Sequence, residues 1–338
     1  MRRLRGKIHQ WLRSLDRKLL RPGYESGTPA QINIETAGAC NLHCSCCPHG
    51  AAPGFMRQPG LMSVDTFHRV LEHIDIPVKL AYLHLHGEPF LNPNLPLFVK
   101  ELTEKEIAVN LYSNCTAVDP EKLDAILDAK RVAVTFSADI LDKEYYEGIR
   151  VGACYEETLS KLDIANGVFA RHRKFFNMVI VLDGCLKGKL DEIVTRCEQL
   201  YGRYSQLNGI LLGSRFPWPR LPWTGDLDGH LRPGHHRCPY ALEGLSVLWN
   251  GDATMCSFDY TGECIVGSML DSTYRELLNN NDARRFRALH WRHRDKKHPL
   301  CADCLLDRYT PASVSLHRTG FLKKDYDEKK RIVGEFFQ

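Results

Sequence analysis

The chain has 338 residues and a formal net charge of +4, with 43% hydrophobic and 25% charged residues. This composition is ordinary for a globular protein, and the length allows one large domain and a smaller one. No apolar run approaches the roughly 20 residues of a membrane span, and no apolar signal segment follows the basic start, so neither a membrane-spanning nor a secreted protein is expected.

The positive charge is concentrated in residues 1–21, which hold eight basic side chains and a single acid. Apolar residues recur there at helical spacing, at Leu4, Ile8, Trp11, Leu12, Leu15 and Leu19. The pattern predicts a basic amphipathic helix within residues 1–30. Such a helix can lie on an anionic membrane surface, bind an acidic partner, or pack on the protein with its charges in solvent.

Three cysteines, Cys40, Cys44 and Cys47, lie close together in one loop. A [4Fe-4S] cluster normally takes four cysteines, so a loop that offers three leaves one iron open to a non-protein ligand. A zinc loop completed by His43 or His49 is the alternative. The chain has 13 cysteines, mostly in such motifs. In a reducing cytosol this favours metal binding over disulfides, and a cytoplasmic protein is expected.

Strand-like and helix-like segments alternate along the chain. Predicted strands cover 31–36, 79–86, 107–113, 131–137, 174–182 and 208–213. Predicted helices cover 63–74, 95–105, 120–129, 155–171 and 189–200. Strict alternation implies a parallel sheet with crossover helices. Six such units predict an α/β fold, a partial (β/α)6 TIM-like barrel over 31–214, with its chemistry at the loops after the strands.

The three-cysteine spacing resembles the CxxxCxxC signature of the radical S-adenosylmethionine (SAM) superfamily. In that family three cysteines hold a [4Fe-4S] cluster and SAM binds the fourth iron. One departure is Cys46, which stands where the family usually has an aromatic residue near the adenine. The resemblance implies the same partial barrel, and it implies reductive cleavage of SAM to a 5′-deoxyadenosyl radical that removes hydrogen from an unactivated carbon.

The segment His86-Gly87-Glu88-Pro89 resembles the Gly-Gly-Glu-Pro motif of this family, with His in place of the first Gly. A carboxylate and backbone carbonyls suit an ammonium group. For Ser137, at the end of a predicted strand, a purely structural role is the alternative to binding SAM, with its hydroxyl hydrogen-bonded to the backbone. The resemblance implies that the amino group, ribose and carboxylate of SAM are met in turn by Gly87 and Glu88, by Ser113 and Asn114, and by Ser137 and Arg150.

A Pro- and Trp-rich segment over 215–237 is predicted to be a linker that covers the barrel mouth. It is followed by Cys238, Cys256, Cys301 and Cys304, with a helix-like segment over 272–289 between the two pairs. Asn250-Gly251 predicts a two-residue hairpin turn. Four cysteines can close a cluster or a zinc ion completely. The scattered cysteines are predicted to be buried side chains, namely Cys115, Cys154, Cys185, Cys197 and Cys264.

The second cysteine set resembles the twitch or SPASM extension of many radical SAM enzymes, among them 2-deoxy-scyllo-inosamine dehydrogenase and the sulfatase-maturing enzymes. The resemblance implies an auxiliary [4Fe-4S] cluster in residues 238–305, followed by a tail over 306–338, and hence two clusters in total. Zinc remains the alternative at this second site. Related sulfatase-maturing enzymes carry an acid near this point, so Asp259 is the candidate general base, with a surface turn aspartate as the alternative.

An auxiliary cluster suggests an oxidoreductase that acts on a small polar, sugar-like molecule. Modification of a peptide side chain or backbone, or of a lipid-linked substrate, is the alternative. The expected electron donor is of the flavodoxin or ferredoxin type. A zinc-stapled nucleic-acid binder would interleave basic and aromatic residues across a face. Here the basic excess is confined to residues 1–21, so no nucleic-acid partner is expected. These residues are instead expected to contact a membrane surface peripherally or to bind an acidic partner.

Overall fold

The structure, a computed structural model, describes residues 31–182, 189–221, 238, 240–241, 244–306 and 313–318. The predicted N-terminal helix, Cys185 and most of the predicted linker lie outside these ranges. Within them, no helix combines the length and apolar character needed to cross a membrane.

A parallel sheet forms the centre of the fold. Its strands are β1 (Gln31–Ile34), β2 (Leu80–Tyr82), β3 (Ala108–Ser113), β4 (Val132–Ser137), β5 (Phe176–Leu182) and β6 (Leu207–Ser214). Each pairs in parallel with the next one along the chain. β1 and β6 do not pair with each other, and the outer edge of each pairs with a further strand instead. The predicted α/β class with an open, barrel-type parallel sheet is thus confirmed.

Crossover helices connect the strands. The helices are α1 (Pro48–Ala51), α2 (Val64–Glu72), α3 (Leu95–Glu104), α4 (Pro120–Leu127), α5 (Lys143–Ile149), α6 (Tyr155–Arg171), α7 (Leu190–Arg203), α8 (Tyr274–Asn279) and α9 (Asn281–Trp291). Side-chain caps begin several of them; Ser63 accepts from Thr66 N at the start of α2. The single helix predicted over 272–289 is instead α8 and α9, because Asn280 is extended and caps the second helix.

Aromatic side chains on the apolar faces of the helices build the core. Phe67 of α2 and Phe98 of α3 are fully buried and stack with ring centroids 4.1 Å apart. Burial of each ring contributes about 1.5–3 kcal/mol relative to an exposed position. The helices therefore hold the outer face of the sheet, and the inner face is left to the site.

Three short strands extend the sheet beyond β1, namely β7 (Ser246–Val247), β8 (Asp252–Thr254) and β9 (Ile265–Ser268). The β7–β8 hairpin is confirmed, but its predicted two-residue turn is wrong. Leu248 N donates to Asp252 O at 2.7 Å, which leaves three loop residues. Gly251 has a φ of +90° there, the conformation of a glycine bulge.

The opposite edge of the sheet is covered by β10 (Ser313–His317), which pairs antiparallel with β6. Sequence analysis places this segment in the tail over 306–338 and misses the strand. Tyr201 of α7 also donates from its hydroxyl to Leu316 O. The pairing saturates an edge that would otherwise expose unpaired backbone groups.

Candidate active site

The three-cysteine loop is tied to the segment that follows α5. The backbone N–H groups of His43 and Ser45 donate to the carbonyls of Val151 and Ile149, at 2.9 and 3.0 Å respectively. This pairing places Arg150, whose neighbours make these bonds, directly beside the cysteines.

A tight turn folds α1 back over the loop. Cys47 N donates to Cys44 O at 3.1 Å, and α1 begins directly after Cys47. Gly50 of α1 passes so close that a Cβ there would lie 2.1 Å from His43 O and 2.5 Å from Cys44 O. Only glycine lacks the Cβ that would clash here, so the loop can adopt this shape only with glycine at position 50.

The carboxylate of Glu88 is buried and is held by donors from the turn that follows it and from the end of β3. It accepts from Phe90 N at 3.0 Å, from Ser113 Oγ at 2.9 Å and from Asn114 N at 2.7 Å. Burial raises the pKa of Glu88, and these donors oppose the shift. Asn114 also donates from Nδ2 to Asn41 Oδ1 at 3.1 Å and lies 3.8 Å from Cys40 Sγ. The acid motif is therefore joined to the cysteine loop.

Arg150 is a buried cation beside the loop. Its Nε donates to Asp139 at 2.6 Å, and its Nη1 lies 3.7 Å from Cys44 Sγ. Asp139 is fully buried and also accepts from Val181 N at 2.5 Å. Although burial opposes the charged form, the carboxylate of Asp139 keeps the pKa of Arg150 above its ordinary value.

All the residues predicted to meet the first cluster and SAM line one cavity of about 440 Å³. Its volume is in the range of about 300–1,000 Å³ that is usual for small-molecule sites. Trp218 covers part of it and donates from Nε1 to Cys46 O at 3.1 Å. The predicted residues on its wall are Cys40, Cys44, Cys47, Gly87, Glu88, Ser113, Asn114, Ser137 and Arg150.

The spacing of the sulfurs is wider than zinc requires. A zinc ion bonded at about 2.3 Å holds four thiolates about 3.8 Å apart. In the described ranges, no three of the candidate cysteines bring their Sγ atoms within 4.8 Å of one another, and neither His43 nor His49 completes such a group. Burial also raises the pKa of Cys40 to about 11, so that thiol ionises at neutral pH only when a cationic group binds. Both sets fit a larger metal centre.

A buried ionic cluster that sequence analysis missed lies at the end of β1. The carboxylate of Glu35 accepts from Arg57 Nη2 at 3.0 Å and lies 3.1 Å from Nδ1 of His86. Trp249 N of the hairpin turn also donates to it, at 3.3 Å. Glu35 continues the two-residue alternation of Gln31 and Asn33 along one side of β1, and this alternation was the signal that could have located it.

The second cysteine set also comes together. Cys238, Cys256, Cys301 and Cys304 line one pocket, and burial raises the pKa of the Cys256 and Cys301 thiols. Cys264, predicted to be merely a buried side chain, is buried and also interacts electrostatically with Cys256 and Cys301.

The structure does not support Asp259 as a general base. Its side chain is fully buried and accepts five hydrogen bonds, two from threonine hydroxyls and three from backbone N–H groups. The nearest of these, from Thr254 Oγ1, Gly262 N and Cys264 N, measure 2.8 Å. A carboxylate so saturated shapes the turn after Cys256. It lines none of the three cavities described in this section.

A second cavity of about 510 Å³ adjoins the first and shares Trp218 and Tyr112 with it. Aromatic rings and neutral amides or hydroxyls form its walls. Burial lowers the pKa of His84, which lines both cavities, to about 4, so that ring is neutral at physiological pH. No Lys, Arg, Asp or Glu is among the described residues of this lining, which include Gln31, Asn33, Tyr82, Tyr240, Ser246 and Ser257.

A profile of the Radical SAM superfamily matches residues 34–184, and a profile of the iron-sulfur cluster-binding SPASM domain matches residues 238–305. The chain belongs to the radical SAM superfamily. This radical SAM protein is an enzyme that uses iron-sulfur clusters, and its cofactors are [4Fe-4S] clusters and SAM.

Solved structures share this fold. Native anSMEcpe with bound AdoMet aligns with a TM-score of 0.61 at 16% identity, over 91% of this chain and 100% of that one. BtrN in complex with AdoMet and 2-DOIA aligns with a TM-score of 0.54 at 17% identity, over 82% and 94%. SuiB of Streptococcus suis, bound to the precursor peptide SuiA, aligns with a TM-score of 0.61 at 13% identity, over 77% and 67%.

A curated relative matches a smaller part. GTP 3′,8-cyclase of Chlorobaculum tepidum is 28% identical over 134 residues, which is 39% of this chain and 39% of the relative. The shared part is thus well under half of either protein.

Proposed function

We propose that this radical SAM enzyme oxidises an uncharged, hydroxyl-bearing small molecule. The observation that carries the proposal is the cavity of about 510 Å³ beside the candidate SAM cavity, whose described lining is aromatic and uncharged. A charged substrate group would enter such a cavity at a high desolvation cost, because no opposite charge on the described walls would pair with it. Neutral hydroxyls can instead exchange hydrogen bonds with amides such as Asn33.

In this proposal the barrel over 31–214 holds SAM and the first cluster, and residues 238–305 hold the second. Bound cofactors would supply a 5′-deoxyadenosyl radical and an electron acceptor, while the chain orients the reactants and excludes water. The proposed ligands of the first cluster are Cys40, Cys44 and Cys47. Those of the second are Cys238, Cys256, Cys301 and Cys304.

The chain's own polar groups would orient SAM. Glu88, held by Ser113 and Asn114, presents a buried acceptor toward the SAM amino group. Arg150 offers its guanidinium to the SAM carboxylate while Asp139 fixes it from behind. Gly87 and Ser137 complete the wall.

Peptide modification is the second candidate. It is favoured by the structural likeness to SuiB bound to a precursor peptide and to anSMEcpe bound to a peptide. The second cavity adjoins the first at Tyr112 and Trp218, and we infer that a peptide bound in the first cavity would extend into the second. The two candidates therefore differ in what the second cavity accepts.

The test is anaerobic reconstitution followed by incubation with SAM and dithionite. The substrate panel contains myo-inositol, glucose, inositol monophosphate and a serine- and cysteine-containing peptide. We expect a neutral polyol to increase formation of 5′-deoxyadenosine and to yield a ketone, while the phosphate does neither. Cys44→Ala should abolish SAM cleavage, and Cys197→Ala, a buried cysteine outside these cavities, should not. An iron-loaded, reduced wild type that leaves SAM intact refutes the proposal.

A further inference from the structure

His290 lies beside the second cysteine set. It belongs to α9 and is 3% exposed, and its Nε2 is 3.7 Å from Cys301 Sγ. Its ring packs on Phe286 with centroids 4.7 Å apart. His290 and Cys301 line the same pocket. The imidazole is thus held by packing in contact with a proposed cluster ligand.

We propose that His290 is a positioning residue that donates an N–H···S hydrogen bond from Nε2 to Cys301 and so raises the reduction potential of the auxiliary cluster. The inference rests on the proposed function, in which Cys301 is a ligand. A ligating thiolate is an acceptor only, and a neutral imidazole that carries its proton on Nε2 is a donor. The tautomer follows from the acceptor it faces.

The sign of the effect follows from charge. One-electron reduction adds negative charge to the cluster and its sulfurs, so a donor aimed at a sulfur stabilises the reduced form more than the oxidised form. A higher potential makes the cluster a better acceptor for an electron released by a substrate radical.

Charged neighbours of the same pocket compensate each other in part. Asp295 and Lys296 both line it, with Lys296 Nζ 4.0 Å from Asp295 Oδ2. Burial raises the pKa of Cys301 most, followed by the neighbouring thiols and then by Asp295, whereas Lys296 lowers it. The hydrogen bond from His290 is therefore added beside one acidic and one basic side chain of the pocket.

The test uses the full chain with Cys40, Cys44 and Cys47 all replaced by alanine, so that only the auxiliary cluster is present. His290→Phe removes the donor and keeps an aromatic ring on Phe286. His290→Gln keeps an amide N–H. Reduction midpoints are measured by potentiometric titration followed by electron paramagnetic resonance, which requires neither SAM nor substrate. Arg285→Gln is the control on the exposed side of α9, where the Arg285 side chain is 80% exposed.

We expect a lower midpoint for His290→Phe at unchanged iron content, recovery toward the parent in His290→Gln, and no shift in the control. Should His290→Phe fail to load iron, His290→Met, which also lacks an N–H donor, is measured in its place and should show the same decrease. Equal midpoints in parent and donor-free variant overturn the inference. A parent that binds no cluster overturns the second cluster of the proposed function instead.

Discussion

Glu35→Gln is expected to destabilise the protein by about 3 kcal/mol, because the carboxylate anchors three separate segments. Glu35 is fully buried at the end of β1, and it pairs with Arg57 at 3.0 Å, His86 at 3.1 Å and Trp249 N at 3.3 Å. The neutral amide removes the charge and leaves Arg57, only 12% exposed, without its ionic partner.

Two routes give the same magnitude. Burial alone would raise the pKa of Glu35, but the contacts with His86 and Arg57 outweigh it and lower the pKa from 4.5 to about 2. A carboxyl whose pKa is lower in the folded than in the unfolded state stabilises the fold at any pH above its unfolded-state pKa. This stabilisation is lost as the pH falls through the folded-state pKa. At about 1.4 kcal/mol per pKa unit the shift corresponds to roughly 3 kcal/mol. Removing one partner of a buried ion pair costs about 3–5 kcal/mol.

The assay is thermal unfolding of the reconstituted protein at pH 7. An unfolding entropy of about 2.1 cal/mol/K per residue implies roughly 0.7 kcal/mol/K for this length, so the Tm should fall by about 4 °C. Glu72→Gln is the matched control, because Glu72 is 65% exposed and its ion pair with Arg69 is worth little. At pH 7 the Glu35 carboxyl is ionised in both the folded and the unfolded state, so the full difference should be present there. If the two variants melt together at pH 7, the reasoning fails.

Three further outcomes are expected. Gly87→Ala should weaken SAM binding about fivefold or more at unchanged iron content, measured by equilibrium dialysis, because its Cβ would lie 2.3 Å from Ala37 O and such overpacking costs about 1–3 kcal/mol. Asp259→Asn should lower the Tm, because the loss of a buried acceptor costs about 1–3 kcal/mol, and it should retain SAM cleavage. Loss of a general base would also spare SAM cleavage, but it would lower the yield of ketone per 5′-deoxyadenosine. We expect that yield to be unchanged. Arg150→Ala should destabilise by about 3–5 kcal/mol in urea titrations by leaving Asp139 unpaired; a variant as stable as wild type contradicts the pairing.

Much of the fold was predictable because its signals are local. The strand and helix segments that alternate over 31–214 match β1 to β6 and their helices within a few residues, and α6 runs over the predicted 155–171. Alternation of short apolar runs with amphipathic segments leaves few arrangements other than a parallel sheet. β10 escaped prediction because it has little apolar signal of its own and is held by pairing with β6.

The candidate site was likewise predictable only where its signals are local in the sequence. Spacing along the chain identified the cysteine sets and the motif at Gly87 and Glu88, and all the first-site residues line one cavity. Asp259 was selected by its distance from Cys256 along the chain, which says nothing of the five donors that saturate it. His290 carried no motif at all.

The sequence by itself determined which residues offer thiolates, carboxylates and turns, since these depend on residue type and on spacing over a few positions. Only the tertiary structure decided which of them meet. The Glu35 cluster joins β1, the segment at Arg57 and the hairpin at Trp249, and His290 reaches Cys301 from another helix. Contacts between segments so far apart in sequence are set by how the sheet and helices pack, and side-chain hydrogen bonding follows from that packing.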